Sequence, residues 1–184
     1  MRVISGSARS VPLKTVGDNT IRPTTDIIKE TLFNILQFEL EDISFLDLFA
    51  GSGAIGIEAL SRGASFSYFV DSSEDAVKVI EENLIKTKLI DRAKFAKLDV
   101  RRINSSSDVA SYKYDIIFID PPYESSLYES ALKVVREADL LKEGGKIILE
   151  MPIKKETDFI EKLGFEITKV KEYKSNKHIF CKEK

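Results

Sequence analysis

The chain has 184 residues and a mass of 20.8 kDa, enough for one ordinary domain with a small appendage. Lys and Arg number 28 against 30 Asp and Glu, a formal net charge of −2, which excludes a wholly basic nucleic-acid coating protein but not local basic patches. A single Cys (Cys181) and a single His (His178) exclude a disulfide framework and leave too few ligands for a zinc site, so no metal is expected. No apolar run approaches the roughly 18 residues of a membrane span, and the opening MRVISGSARS lacks a signal peptide's apolar stretch. The expectation is a cytoplasmic protein away from membranes.

The head, residues 1–41, opens with two short predicted strands at 2–5 and 11–16, around Gly6-Ser7. Pro23 pushes Arg22 into an extended conformation, and Thr24 or Thr25 can cap the helix that follows. That helix carries Ile27, Ile28, Leu32, Phe33, Ile35, Leu36 and Leu40 at helical spacing. Residues 42–184 then alternate. Strands are predicted at 45–49, 66–70, 93–98, 115–119 and 146–150, with helices at 54–62, 74–86, 127–137 and 156–163. An antiparallel pair at 165–173 and 177–182 closes the chain. This rhythm predicts an α/β fold, a mainly parallel sheet with helices on both faces, in which 1–41 is an extension of one domain and 42–184 its cofactor-binding, catalytic part. Ligands in such sheets bind at the carboxyl ends of the strands.

One such end carries Asp47-Leu48-Phe49-Ala50-Gly51-Ser52-Gly53-Ala54-Ile55-Gly56, a G-x-G-x-x-G turn between strand and helix. Glycines there allow a sharp turn and a close ligand. Asp71, twenty residues after Gly51 at the next strand end, can accept from ribose hydroxyls. Asp47 discriminates between nucleoside cofactors. A carboxylate repels the pyrophosphate of NAD and suits the cationic groups of S-adenosylmethionine, which is therefore favoured. Asp99, after the third strand, can accept from an adenine amine, or it is a solvated turn residue.

A second strand end carries Asp120-Pro121-Pro122-Tyr123. Two prolines force the chain out of the sheet and fix the Asp120 carboxylate and the Pro121 carbonyl. With Tyr123 they suit a planar molecule bearing an exocyclic amine: the ring stacks on Tyr123, and the amine donates to Asp120 and to Pro121. Holding both hydrogens aims the nitrogen lone pair at an electrophile, so catalysis is mostly orientation and electrostatics, with Asp120 the nearest base.

The stretch LDLFAGSGAIGIEALSRGA (46–64) followed by DPPY resembles class I S-adenosylmethionine-dependent methyltransferases that modify nitrogens. The head segments ISGSARS (4–10) and IRPTTDIIKETLFNIL (21–36), with LLKEGGKIILE (140–150), are similar to the bacterial 16S rRNA guanine-N2 methyltransferase family, RsmD. The resemblance implies methylation of one guanine of 16S rRNA, within the small ribosomal subunit or an assembly intermediate; a monomer is the default expectation. It implies a cofactor set of Asp47, Phe49, Gly51, Ser52, Gly53, Asp71, Ser72, Asp99 and Val100, with Asp120 to Tyr123 on the guanine. Arg22, Pro23, Thr24 and Arg9 would meet RNA. Ile27 stands where the family often has Arg, and Lys174 where a Gly is expected.

Other acceptors remain open, namely DNA adenine N6 or a protein glutamine; more distant are an NAD(P)-dependent oxidoreductase and a non-catalytic RNA-binding module. His178 and Cys181 read as structural, and the lysines at 154–155 and 169–177 as a solvated face. RNA binding at net charge −2 predicts that Arg2, Arg9, Lys14, Arg22 and Lys29 gather at the mouth of the site.

Overall fold

The computed structural model describes residues 1–17, 23–122 and 126–184, leaving the side chains of 23–25 aside. The chain forms two compact units, Met1–Leu98 and Asp99–Lys184.

The first unit contains α1 (Pro23–Ile35), β1 (Ser44–Asp47), α2 (Ala54–Ser61), β2 (Phe66–Asp71), α3 (Glu74–Thr87) and β3 (Ala93–Lys97). Its strands lie in the order β3-β2-β1, all parallel, with Asp47 opposite Phe69 and Asp71 opposite Lys97. Helices α2 and α3 pack on these strands and bury Ile57, Leu60, Ile80 and Leu84. The second unit contains β4 (Tyr114–Ile119), α4 (Leu127–Glu137), β5 (Leu141–Pro152), α5 (Asp158–Lys162), β6 (Phe165–Glu172) and β7 (Asn176–Glu183). Its order is β4-β5-β7-β6; β4 and β5 are parallel and β7 is antiparallel to both its neighbours. This is the predicted α/β architecture, mainly parallel with an antiparallel C-terminal pair. Among the described residues no helix is long and apolar enough to cross a membrane.

Three elements depart from expectation. The head's two strands reduce to one antiparallel bridge, Arg2 with Pro12. Pro12 has no N–H to extend a ladder, and the amides of Ile4 and Ser5 bind the Glu58 carboxylate instead, at 2.8 and 3.0 Å. Helix α1 stops at Ile35, although Leu36 and Leu40 beyond it are still buried. Strand β5 begins five residues early, because its register with β4 shifts across Gly144-Gly145, from Tyr114–Leu141 to Ile116–Lys146.

Glu58 fastens the head to α2. Fully buried, it also receives Arg62 Nε at 2.7 Å and lies 3.4 Å from Lys29 Nζ. Lys29 donates to the Arg2 carbonyl at 2.6 Å. Burial pulls the Lys29 ammonium below its ordinary pKa, against the pull of Glu58 and Asp26. Lys29 is therefore an internal ion, and Lys14 is paired with Glu82. Neither is the free surface cation expected beside the site. Replacing Glu58 by Gln strands two cations against an uncharged partner. The expected loss is about 3–5 kcal/mol of stability in denaturant titration, and an unchanged midpoint would contradict this role.

Candidate functional site

Strand β1 delivers Asp47 to its carboxyl end, and the chain turns through Gly51 (φ +52°) and Gly53 (φ +76°) into α2. Glycine adopts these positive φ angles at no steric cost. Gly56 serves close approach instead: a Cβ there would sit 2.3 Å from the Phe69 ring. Asp71 holds the loop in place. Its Oδ2 accepts from Gly51 N at 2.8 Å and its Oδ1 from Ser73 N at 2.9 Å, while the Ser73 hydroxyl accepts from Ala76 N at the start of α3. Ser52 is tied from the other side, since buried Asn83 donates to its carbonyl at 2.9 Å and also bonds the Lys14 backbone. Asp47, Gly51, Ser52, Gly53 and Asp71 are thus brought together, with Phe49 half-buried among them and Ser72 exposed after β2.

Asp47 is buried, and its Oδ2 accepts from Gly56 N at 3.2 Å. No cation lies within ion-pairing distance of it among the described residues. Burial pushes its pKa up to about 7, the nearby Asp71 charge adds to the rise, and the Gly56 N–H opposes it. Two carboxylates beside a glycine loop repel a pyrophosphate and suit a ligand with a cationic group and hydroxyl donors. S-Adenosylmethionine has this chemistry, so the residues fit it.

In the second unit, Asp99 caps the short turn Val100–Arg102. It accepts from Arg101 N at 2.9 Å and from the Arg101 guanidinium, which holds its pKa near 2. Val100 is buried. At the end of β4, Asp120 is half-buried, Pro121 buried and Pro122 exposed; Tyr123 lies outside the described residues. Arg22 also lies outside them. Pro23 and Thr24 form the first turn of α1. Arg9 is exposed beside a cavity of about 410 Å³ that Arg2, Asp26 and Glu30 share.

Sequence reasoning missed three groups here. Glu58 and Asn83 are polar residues inside apolar helix faces, a signal visible in the periodicity of α2 and α3. The third group surrounds His178, which the sequence placed as merely structural. His178 Nε2 lies 3.1 Å from Glu150 Oε2, and His178 Nδ1 lies 3.1 Å from the Tyr173 hydroxyl. Asn176 Nδ2 donates to Glu150 Oε1 at 2.6 Å. Burial, helped by the Glu150 charge, pushes the Tyr173 phenol up to about 12. Asn176 Oδ1 is buried without a donor among the described residues, which costs about 1–3 kcal/mol. Cys181 is buried, and burial pushes its thiol up to about 12.

Parallel strands with a glycine turn at one carboxyl end and an Asp-Pro-Pro turn at another define a methyltransferase of the class I fold. The family model described as conserved hypothetical protein 95 matches residues 1–182. A Bacillus subtilis protein described as a candidate rRNA methyltransferase is 39% identical over 150 residues, covering 82% of each chain. The Escherichia coli K12 protein named ribosomal RNA small subunit methyltransferase D is 31% identical over 153 residues, covering 83% of this chain and 75% of that one. A solved Escherichia coli chain described as a candidate methyltransferase aligns with a TM-score of 0.81 at 26% identity, covering 100% of this chain and 97% of that one. The chain belongs to the conserved hypothetical protein 95 family, the family of these rRNA methyltransferases.

The buried Asp47 makes a prediction about the unliganded protein. Its folded pKa, about 7, exceeds its unfolded value of 3.8, so the destabilisation that Asp47 itself contributes is relieved as pH falls between those values. Asp47→Asn should therefore be more stable than wild type at about pH 8, by about 4 kcal/mol at most, with the gap closing in acid. Denaturant titration at several pH values measures this. A less stable variant at alkaline pH would contradict it.

Proposed function

We propose that the protein transfers a methyl group from S-adenosylmethionine to the exocyclic N2 amine of a guanine in 16S rRNA. The substrate is the small ribosomal subunit or its assembly intermediate, and the enzyme acts as a cytoplasmic monomer. The observation that carries this reading is the Asp120-Pro121-Pro122 turn at the carboxyl end of a buried strand, in a chain whose family includes small-subunit rRNA methyltransferases.

Asp47 takes the cationic end of the cofactor, and Phe49, Gly51, Ser52 and Gly53 line its methionine portion. Asp71 and Ser72 take the ribose, and Asp99 and Val100 the adenine, with Asp99 anchored meanwhile by Arg101. When bound, the cofactor supplies an electrophilic methyl whose C–S electron pair stays with sulfur. Asp120 and the Pro121 carbonyl accept the two N2 hydrogens of guanine, and Tyr123 stacks on the base. That grip turns the nitrogen lone pair out of ring conjugation toward the methyl carbon. As the N–C bond forms, one N–H proton passes to Asp120 and on to solvent. Arg9, Arg22, Pro23 and Thr24 contact the RNA around the target.

The test is transfer of tritiated methyl to small subunits isolated from cells lacking the enzyme. Asp120→Ala should lower kcat by about a hundredfold or more while S-adenosylhomocysteine affinity stays within about threefold. Wild-type turnover in this variant would remove Asp120 from the chemistry, and label outside guanine N2 would overturn the substrate assignment.

A further inference from the structure

We infer that Glu150 reads the edge of the target purine, accepting a hydrogen bond from N1–H and so selecting guanine. This rests on the guanine reading above and adds a residue that reading does not use. In the strand register, Ile119 of β4 lies opposite Leu149 of β5, and Glu150 lies opposite His178 of β7. The residue after Ile119 is Asp120, so Asp120, Glu150 and His178 follow one another across the carboxyl end of β4 and β5, at strand spacings of about 4.8 Å. The ring of His178 meets Phe118 edge-on, with centroids 6.2 Å apart, which places the row on the face that Phe118 shares.

The Glu150 side chain is 15% exposed, so it is reachable from the sheet end while buried groups hold it. Asn176 and His178 each address one of its oxygens, the Tyr173 hydroxyl backs His178, and the Tyr128 hydroxyl donates to the Glu150 carbonyl at 2.9 Å. Asn176 keeps its donor on Glu150 although its own Oδ1 meets no donor, so the cluster is arranged around a carboxylate acceptor. Such a carboxylate offers about four acceptor sites. Guanine carries N1–H next to its C2 amine. With that amine on Asp120, N1 turns toward the neighbouring position in the row. A purine with a bare N1 lone pair there meets an acceptor and is disfavoured.

Small subunits reconstituted with either guanine or 2-aminopurine at the target position test this, since both present a C2 amine and only guanine presents N1–H. The ratio of kcat/KM on the two templates is read within one enzyme preparation, so the folded fraction cancels. Wild type should prefer guanine by about a hundredfold or more, and Glu150→Gln, whose amide can donate to a bare N1, should cut that preference by about tenfold or more. His178→Gln disturbs the buried cluster but keeps a donor for Glu150, and should retain the wild-type ratio. A wild type indifferent to template, an unchanged ratio in Glu150→Gln, or an equal drop in His178→Gln overturns the role of Glu150 while guanine methylation stands. A wild type that methylates neither template overturns the function itself, and this inference with it.

Discussion

The 2.8 Å hydrogen bond from Gly51 N to the Asp71 carboxylate is the contact on which the geometry of the first unit's glycine turn depends. It ties the turn after β1 to the end of β2, and the second oxygen of Asp71 reaches Ser73 at the entrance to α3. One carboxylate thus orders the glycine loop and a helix start together. Asp47 and Glu58 work in the same way, each a buried acid that accepts backbone N–H groups which no helix or strand satisfies. At Glu58 an acid suits this work better than an amide, because an ionised acceptor binds N–H more strongly. The cost is buried charge. Lys29 and Arg62 offset it at Glu58, while Asp47 has no such partner and its pKa rises. That asymmetry separates Glu58 from Asp47, the acid to which the proposed function gives the cationic end of the cofactor.

The fold was largely legible in the sequence because its parallel strands are short apolar runs and its helices carry clear stripes. The runs 115–119 and 127–137 correspond closely to β4 and α4. The glycine turn was legible because each glycine answers a local need, a positive φ at residues 51 and 53 and a Cβ clash at 56. The head was not legible as strands, because the partner of Ile4 and Ser5 is a side chain more than fifty residues away. Lys29 was misread for the same reason: a cation at the seventh position of α1 reads as surface until the distant acid it faces, Glu58, is known.

His178 shows the limit most clearly. A lone histidine on a late strand has no sequence signal for a role; Tyr173 meets it from the adjoining hairpin, but Glu150, which Asn176 also binds, comes from a strand well back in the chain. Antiparallel register alone brings them together, and register is set by the pairing of β5 with β7, not by local spacing. The net charge of −2 likewise concealed how charges are used. Among the described residues two acids, Asp47 and Glu58, and one cation, Lys29, are spent inside the fold.

Guanine-N2 methylation is tested most directly by nucleoside mass spectrometry of 16S rRNA from enzyme-deficient small subunits incubated with the protein and S-adenosylmethionine bearing a deuterated methyl. One mass-shifted nucleoside, N2-methylguanosine, is expected at a single site. Label on adenine, on a ribosomal protein, or on no component would contradict it.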